Sequence, residues 1–513
     1  MTLQQAMELA VQHHRAGRLA EAEAIYRQVL AISPNQPDVV HLLGILAIQA
    51  GKLDIAIDVI RKAIEMNPNE PTYHANLGEA FMRGGRVDEA IAALQQSIAL
   101  GPVYEAWNNF GNALGRRGEL DEAIEAFRQA IAINAILPEA HSNLGDALKQ
   151  AGQVEQAMES IDRALAIEPK LMAAHNNRGI CLRALGRFDE AIESYRQAIA
   201  LAPASPILHY NLAVTLLLKG DFEQGFIEYE HRFGVPEMAA PLNRFSAPLW
   251  AGEELGGRMI LLHAEQGFGD TIQFARFAPL VKQRGGRVVL AVQPELLRLM
   301  QGVDAADEIV SLADSPAGFD VQCPLLSLPK IFGTTLDTIP AEPYLKIDEA
   351  IVQSWGSRLP RGERPKIGLV WTGREQFQDN RWRSVDLQMF APLASIKDIE
   401  LYSLQMGDAS EQLKSPPEGL EITDLSPHLT DFAETAGALM QMNLLITTDT
   451  AAAHLAGAMG MPVWLLTAFS PDWRWLLDRD DSPWYPTMRL FRQPSLGDWE
   501  TPINHIKDAL ETI

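Results

Sequence analysis

The sequence LLITTDTAAAHLAGAMG, residues 444–460, combines residue types that suit the binding of a diphosphate. An apolar run ends at Asp449, and the alanine-rich stretch after it predicts a helix that is closed by a glycine. The unpaired amides of Thr450 and Ala451 at the start of that helix, with the helix dipole behind them, favour an anion. His454 lies on the first turn and is able to point the same way. The alternative is that Asp449 is only an N-cap and His454 only a helix residue.

A second candidate is the sequence GFGD, which follows an earlier apolar run. Gly267 and Gly269 permit close approach of the backbone and unusual dihedral angles, and Asp270 stands at the start of a predicted helix. The third glycine of the dinucleotide-binding fingerprint is absent after Gly269. A nicotinamide cofactor is therefore not expected.

The loop WTGREQFQDNRWRS, residues 371–384, carries a third set of candidates. Thr372, Arg381 and Arg383 are suited to phosphate contacts, because guanidinium is a fixed-charge, bidentate partner of phosphate. The alternative is an ordinary solvated basic loop.

The aromatic stretch PDWRWLLDRDDSPWYP, residues 471–486, follows a predicted strand. Its three tryptophans are expected to pack against the lobe, and Arg474 is placed to reach a phosphate. Residues 478–480 formally match a D-x-D metal motif but lie in a polar run with no other ligand set. No metal site is expected, and a nucleotide-sugar is treated as a substrate rather than a cofactor.

From residue 258 onward, apolar runs of strand length alternate with helical stretches, which indicates parallel sheets covered by helices. The predicted strands are 258–265, 287–292, 366–372, 400–406, 444–449 and 462–468. The predicted helices are 271–284, 387–394, 431–442 and one from 451, with a linker at 347–364 between two lobes. Ligands of open α/β sheets bind at the carboxyl ends of the strands. Asp270 and Asp449 are thus expected in one cleft if the lobes face each other by those edges.

Residues 3–205 repeat with a period of 33 or 34 residues. Each unit has a Leu-Gly-like pair, a glycine seven residues later at a turn and a small residue five residues after that, as at Leu77-Gly78, Gly85 and Ala90. The pattern resembles the tetratricopeptide repeat, with six repeats and a degenerate seventh that has Gly225 in place of the alanine. This resemblance implies a superhelix whose concave face binds a protein or peptide.

One column of the repeat places an amide at the sixth position of the first helix. Its members are Asn76, Asn109, Asn143, Asn177 and Asn211. A primary amide offers a donor and an acceptor together, so this ladder is a candidate for holding an extended peptide backbone. The alternative is that asparagine only serves local backbone at this position.

Four histidines occupy the fourth position of successive repeats: His74, His141, His175 and His209. Successive members are separated by about 10 Å or more, the width of a helix pair, whereas zinc binds at about 2 Å. Packing between repeats, not metal binding, is expected.

The C-terminal half, about 240–513, resembles the heptosyltransferase-like glycosyltransferases of GT-B fold. The motif D-[TS]-[GA]-x-x-H-L of their donor lobe matches Asp449-Thr450-Ala451 with His454-Leu455, and the G-D pair of their acceptor lobe matches Gly269-Asp270. The resemblance implies that Asp270 is the catalytic base and that the donor-lobe motif binds the donor diphosphate. Alanine stands in the position of the family's glycine, and an arginine is expected to replace the lysine of the family's first donor-lobe loop.

The fold prediction is a tetratricopeptide-repeat α-solenoid followed by a two-lobe GT-B module. The predicted domains are 1–235 for the superhelix, 236–350 for the acceptor-side lobe and 351–513 for the donor lobe. The implied function is inverting transfer of a sugar from a nucleotide-sugar to an acceptor, a protein or peptide held by the repeats. The alternative is a non-catalytic scaffold with a degenerate glycosyltransferase-like domain.

Composition limits the classes of partner. The formal net charge is −23, and broad binding of nucleic acid, which needs a basic face, is not expected. Two isolated cysteines, Cys181 and Cys323, indicate a reducing compartment. No segment is apolar for the 18 or so residues of a membrane span, and no targeting segment is recognised, so a cytoplasmic location is expected.

Overall fold

The structure is a computed structural model that describes residues 2–236, 238–239, 244–314, 316–359, 362–373 and 383–512. It comprises two compact units, Met1–Leu182 and Arg183–Ile513. The repeat pattern ends near residue 235, so the second unit holds the last helices of the repeats together with the sheets. The predicted domain boundaries at 235 and 350 follow sequence pattern and stay a prediction.

Antiparallel helix pairs make up the repeats, as the 33- to 34-residue period predicts. Over the fully described residues 2–236 the helices are α1 (Leu3–Arg15), α2 (Leu19–Ile32), α3 (Pro37–Gln49), α4 (Leu53–Met66), α5 (Pro71–Arg83), α6 (Val87–Leu100), α7 (Tyr104–Arg117), α8 (Leu120–Ile133), α9 (Pro138–Gln150), α10 (Val154–Ile167), α11 (Met172–Ala184), α12 (Phe188–Leu201), α13 (Pro206–Leu218) and α14 (Phe222–Tyr229). A 3-10 turn, Glu230–Gly234, follows α14.

Two kinds of glycine recur in the helix pairs. The turn glycine has a left-handed backbone, as at Gly85 with φ +72°, which an L side chain adopts only with strain. The glycine of the first helix lies against the second helix: a Cβ atom on Gly78 would lie 2.5 Å from Cγ of Leu94. The predicted roles of these glycines, a turn and a close helix crossing, are confirmed.

The seventh repeat is packed into the core of the sheets. Phe222 and Phe226 of α14 lie with ring centroids 6.2 and 5.7 Å from that of Trp473, and all three side chains are buried. Gly225 replaces the usual alanine because a Cβ atom there would lie 2.7 Å from Leu217 of α13. The space between α14 and the Leu217 side chain of α13 thus leaves no room for a Cβ atom at this position.

Two parallel sheets follow, as the alternation of strands and helices predicts. The first contains β1 (Met259–His263), β2 (Arg287–Val292), β3 (Glu308–Ser311) and β4 (Val321–Pro324), in the order β3-β2-β1-β4. The second contains β5 (Lys366–Val370), β6 (Glu400–Ser403), β7 (Ile422–Asp424), β8 (Leu444–Thr448), β9 (Val463–Thr467) and β10 (Met488–Arg492), in the order β10-β9-β8-β5-β6-β7. Their helices are α15 (Phe268–Phe274), α16 (Ala278–Lys282), α17 (Leu297–Met300), α18 (Leu328–Ile331), α19 (Glu349–Arg358), α20 (Phe432–Leu439), α21 (Ala451–Ala458) and α22 (Glu500–Leu510).

Three predicted elements differ from those observed. The helix expected over 387–394 is a 3-10 segment, Leu387–Ser395, which contains Pro392. The single helix expected over 271–284 is divided into α15, a 3-10 turn at Ala275–Phe277 and α16, because Pro279 lacks the amide that a continuous helix needs. The segment expected to be a linker at 347–364 contains α19, whose Trp355 is buried.

None of the helices in the described ranges combines the length and the apolar character that crossing a bilayer requires.

Candidate functional site

Residues that follow strands of the two sheets meet at one place. Asp270 lies in α15, after β1 of the first sheet, and Asp449 lies between β8 and α21 of the second. A Cβ atom built on Gly269 would lie 2.7 Å from Cδ2 of His454 and 3.6 Å from Cα of Ala451. The structure therefore places the G-D pair directly against the start of the D-T-A-A-A-H helix.

The two glycines of the first motif have roles other than those expected. Gly267 has an ordinary φ of −69°, and Gly269 lies inside α15, so the prediction of unusual dihedral angles is wrong. The close approach occurs at Gly269, and what approaches it is His454. Gly269 is required for packing of α15 against α21.

Replacing Gly269 by alanine should lower the free energy of unfolding by about 1–3 kcal/mol, because the added methyl group overlaps the buried His454 ring. Gly267→Ala is the matched control: its Cβ atom would lie 3.3 Å from the flexible Asp270 carboxylate and should cost less than about 1 kcal/mol. Urea unfolding of both variants measures the difference. Equal losses would contradict the close contact at Gly269.

Asp270 is held by a buried arginine. Nη2 of Arg474 donates to Oδ1 of Asp270 at 2.5 Å, and the backbone amide of Gly267 donates to Oδ2 at 2.9 Å. The same guanidinium donates to Asp472 at 2.8 Å and to Gln273 at 2.6 Å. Arg474 thus joins the loop after β9 to α15 of the first sheet.

Asp449 lies close to a second arginine. Nη1 of Arg383 is 3.6 Å from Oδ2 of Asp449, whose side chain is 13% exposed. Thr372, at the end of β5, donates from Oγ1 to Ser384 at 2.6 Å and from its backbone amide to Gln405 at 3.0 Å. Arg383 and Asp449 are thus brought together, and Thr372 contacts Ser384, the residue after Arg383. Arg381 lies outside the described residues.

Burial makes both carboxylates more basic than usual. It raises the pKa of Asp270, against the opposing effect of Arg474. It also raises the pKa of Asp449 to about 6, with the neighbouring carboxylate of Asp472 acting in the same direction and Arg383 opposing. A carboxylate with a raised pKa is a better proton acceptor in chemistry near neutral pH.

His454 is a buried, neutral imidazole. Burial lowers its pKa well below the usual value, and nearby arginines act in the same direction. Nδ1 lies 3.0 Å from the hydroxyl oxygen of Tyr485, and the ring stacks on Trp475 with centroids 5.2 Å apart. Thr450 is the N-cap residue of α21, and its hydroxyl lies 3.0 Å from that of Thr447.

The last repeat reaches this site through Tyr210, which sequence reasoning missed. Burial raises the pKa of this α13 phenol, and Asp472 and Asp270 add to the shift. The equivalent residues of the two preceding repeats are the polar Asn176 and Ser142. The aromatic side chain at this repeat position was the sequence signal that could have identified Tyr210.

The asparagine column contacts neighbouring repeats. Within Met1–Leu182, Nδ2 of Asn143 donates to Asn108 at 3.1 Å and Nδ2 of Asn177 donates to Ser142 at 3.5 Å. Nδ2 of Asn76 lies 2.8 Å from Nε2 of His41. The remaining members of the column, Asn109 and Asn211, are half-buried like the others. Part of the hydrogen-bonding capacity of these side-chain amides is thus used in contacts between repeats. Peptide binding by this column stays a prediction.

Known proteins resemble part of the chain, and one family profile matches its repeats. The sequence profile of the family described as the cilia and flagella-associated protein 70 C-terminal domain matches residues 1–206. Protein FlbA of Caulobacter vibrioides is 27% identical over 309 residues, which are 55% of this chain and 51% of that protein. The chain therefore spans about half the length of this curated relative.

Solved structures give weaker similarities. A chain of the APC/C hetero-tetramer Cut9-Hcn1 is 19% identical with a TM-score of 0.41, covering 44% of this chain and 45% of that one. MamA is 27% identical with a TM-score of 0.29, covering 31% of this chain and 94% of that one. The internal repeats, their helix pairs and the family match together define a tetratricopeptide-repeat protein with an N-terminal helical solenoid, followed by a part with parallel sheets.

Proposed function

We propose that this protein is a glycosyltransferase that moves a sugar from a nucleotide-sugar to a protein or peptide bound by its repeats. The observation that carries the proposal is the contact of Gly269 with His454 and Ala451. It joins the G-D pair to the D-T-A-A-A-H helix across two separate parallel sheets. The resemblance to heptosyltransferase-like GT-B enzymes implies an acceptor-lobe base opposite a donor-lobe diphosphate site.

The donor diphosphate is assigned to the start of α21. Thr450 and Ala451 present backbone amides there, and the helix dipole favours a negative charge. Arg383 lies beside this position, 3.6 Å from Asp449, and adds a fixed positive charge. Amides and a guanidinium stabilise a departing nucleoside diphosphate as negative charge develops on it.

Asp270 is assigned as the base. Its carboxylate takes the proton of the acceptor hydroxyl while that oxygen forms a bond to the anomeric carbon. On the opposite face, the bond from this carbon to the diphosphate oxygen breaks, and the leaving oxygen keeps the electron pair. The raised pKa of Asp270 favours the proton transfer, and Arg474 fixes the orientation of the carboxylate. Inversion at the sugar follows from this geometry.

The acceptor is assigned to the solenoid. The ring of Tyr210 in the last repeat lies 5.6 Å from that of Tyr229, which lies 6.2 Å from Trp473. Trp473 precedes the arginine that holds Asp270, and these contacts support a path from the last repeat to the base. Helical repeats of this kind offer an extended concave surface for a peptide.

A specific observation also favours a second function, a non-catalytic scaffold. Both oxygens of Asp270 already accept hydrogen bonds, from Arg474 and from Gly267. In this arrangement the carboxylate serves as a structural tie between α15 and the loop after β9. A scaffold would keep that tie and bind partners through the repeats alone.

Binding is tested by thermal unfolding of the full chain with UDP, GDP, CDP, ADP and dTDP in turn. We expect one of them to raise the melting temperature by several degrees, since a ligand at about 100 times its Kd adds roughly 2.7 kcal/mol. The shift should disappear in Arg383→Gln and persist in Arg489→Gln, which removes an exposed arginine of β10. If no diphosphate shifts the wild type, the glycosyltransferase proposal fails.

Turnover is tested with the labelled sugar nucleotide that matches the bound diphosphate. Transfer to protein should fall at least about 100-fold in Asp270→Asn, the usual contribution of a positioned base, and stay unchanged in Asp481→Asn, which alters an exposed carboxylate. Binding without any transfer by the wild type would support the scaffold instead.

A further inference from the structure

The seventh repeat gathers three side chains that ligate metals. His209 of α13, Glu228 of α14 and His231 of the following 3-10 turn each place one ligand atom within 4.8 Å of the others. Nδ1 of His209 lies 2.6 Å from Oε2 of Glu228, and the two imidazole centroids are 3.9 Å apart. We propose that these residues bind a divalent transition-metal ion.

The tautomer of His209 suits a ligand. Its Nε2 lies 2.8 Å from the backbone oxygen of Pro203, and since a carbonyl only accepts, Nε2 carries the hydrogen. Metal-binding histidines almost always donate their second ring N–H to such an outer partner, which fixes the ring. The Nδ1 atom faces the Glu228 carboxylate, and two lone pairs at 2.6 Å repel unless a cation or a proton lies with them.

The other repeats show what is specific to this one. His74, His141 and His175 make the same bond from Nε2 to a backbone carbonyl six residues earlier, at 3.1, 3.1 and 2.9 Å. That bond is therefore a feature of the repeat. Glu228 and His231 are additions, since the equivalent residues of the preceding repeat are Ser194 and Gln197. The expectation that the four histidines only pack overlooks these partners of His209.

The donor set selects the kind of ion. Two imidazoles and one carboxylate match the three-ligand sites that hold Zn²⁺ with water in the fourth position, and they bind Co²⁺, Ni²⁺ and Cu²⁺ as well. Mg²⁺ and Ca²⁺ prefer oxygen ligands alone. Near His231, the Glu230 carboxylate favours a cation, and Lys330, 3.7 Å from that carboxylate, opposes it.

Coordination requires two movements. Nδ1 of His209 and Oε2 of Glu228 are 2.6 Å apart and must separate to roughly 3.3 Å, the distance between two ligand atoms that each bind a tetrahedral zinc ion at about 2.0–2.1 Å. The rings of His209 and His231 are nearly parallel, at 14°, whereas imidazole lone pairs lie in the ring planes. His231 is exposed, so its side chain is able to turn its nitrogen towards the ion. The bound metal would then join α13 and α14 to the turn that contains Arg232, whose buried guanidinium donates to Glu265 at 2.9 Å. Metal binding should thus stabilise the junction of the last repeat with the first sheet.

The test uses the full chain without an affinity tag, freed of metal by a chelator. Titration with CoCl₂ should produce the visible d–d absorption of a low-symmetry site and saturate at one ion per chain. ZnCl₂ should remove that absorption by competition and raise the melting temperature, whereas MgCl₂ should do neither. His231→Gln and Glu228→Gln should each weaken Co²⁺ binding at least about tenfold.

His141→Gln is the matched control, because it removes a histidine with the same carbonyl bond from another repeat. Its Co²⁺ affinity should equal that of the wild type. An unchanged Co²⁺ affinity in both His231→Gln and Glu228→Gln, or no saturable absorption in the wild type, would overturn the proposal and leave a protonated His209–Glu228 pair as the explanation of the contact.

Discussion

Replacing Arg474 by methionine is expected to lower the free energy of unfolding of the unit Arg183–Ile513 by about 3–5 kcal/mol. The guanidinium is 6% exposed and donates to Asp270, Asp472 and Gln273. Removing one partner of a buried ion pair leaves the others charged and poorly solvated. Urea unfolding followed by tryptophan fluorescence measures this loss, because Trp107 alone of the ten tryptophans lies in Met1–Leu182.

Two further variants separate the buried network from charge in general. Arg479→Met removes an arginine from the same segment whose partner Asp481 is 63% exposed, and it should cost less than about 1 kcal/mol. Adding Asp270→Asn to Arg474→Met should recover part of the loss, since it removes one of the unpaired buried charges. Similar losses in Arg474→Met and Arg479→Met would contradict the structural importance of the buried network.

The network also connects stability with the proposed chemistry. Asp270 with a raised pKa is a stronger base, and the burial that raises its pKa makes its ionised form costly. Arg474 offsets that cost and keeps the carboxylate ionised and oriented. A site that uses Asp270 as base therefore needs Arg474 in place before a substrate binds, which is the preorganisation that electrostatic catalysis requires.

The repeats were predictable because their physics is local and periodic. A left-handed turn needs a glycine such as Gly152, and a close helix crossing needs one such as Gly145, so both recur at fixed spacing. The strands were recognised by their apolar runs, although β3, β4, β7 and β10 were not identified. These strands are only three to five residues long, and their apolar residues are few, as at Ile422–Asp424. All four lie at an edge of their sheet, where a strand has little apolar pattern of its own.

The site was predictable only in part. Asp270, Asp449 and Thr372 follow strands, and the rule that ligands bind at carboxyl ends of strands selected them. Arg383 and Arg474 were selected as phosphate partners, but their pairing with Asp449 and Asp270 was not predicted, because the ion pair of Asp270 with Arg474 joins residues 204 positions apart. Such a pairing depends on how the two sheets meet, which no local period encodes.

Replacing Trp473 by alanine should lower the free energy of unfolding of Arg183–Ile513 by about 3–5 kcal/mol, the usual cost of removing a large buried aromatic side chain. The indole is 3% exposed, and its ring lies within 6.2 Å of those of Phe222, Phe226 and Tyr229 from the last repeat. It also lies under the Arg474 guanidinium, 4.4 Å from the ring centroid. Removal of the indole would leave a cavity between the last repeat and the candidate site.

Trp464→Ala is the matched control, because this half-buried tryptophan of β9 lies 5.3 Å from Phe491 in a different apolar cluster from that of Trp473. It should cost less than Trp473→Ala. A double-mutant cycle of Trp473→Ala with Phe226→Ala should show coupling of about 0.5–1.5 kcal/mol, and a cycle of Trp464→Ala with Phe226→Ala should show almost none. Additive effects of Trp473→Ala and Phe226→Ala would mean that the contact between these two rings does not stabilise the last repeat. The proposed path for an acceptor from Tyr210 to Asp270 would then lose its structural support.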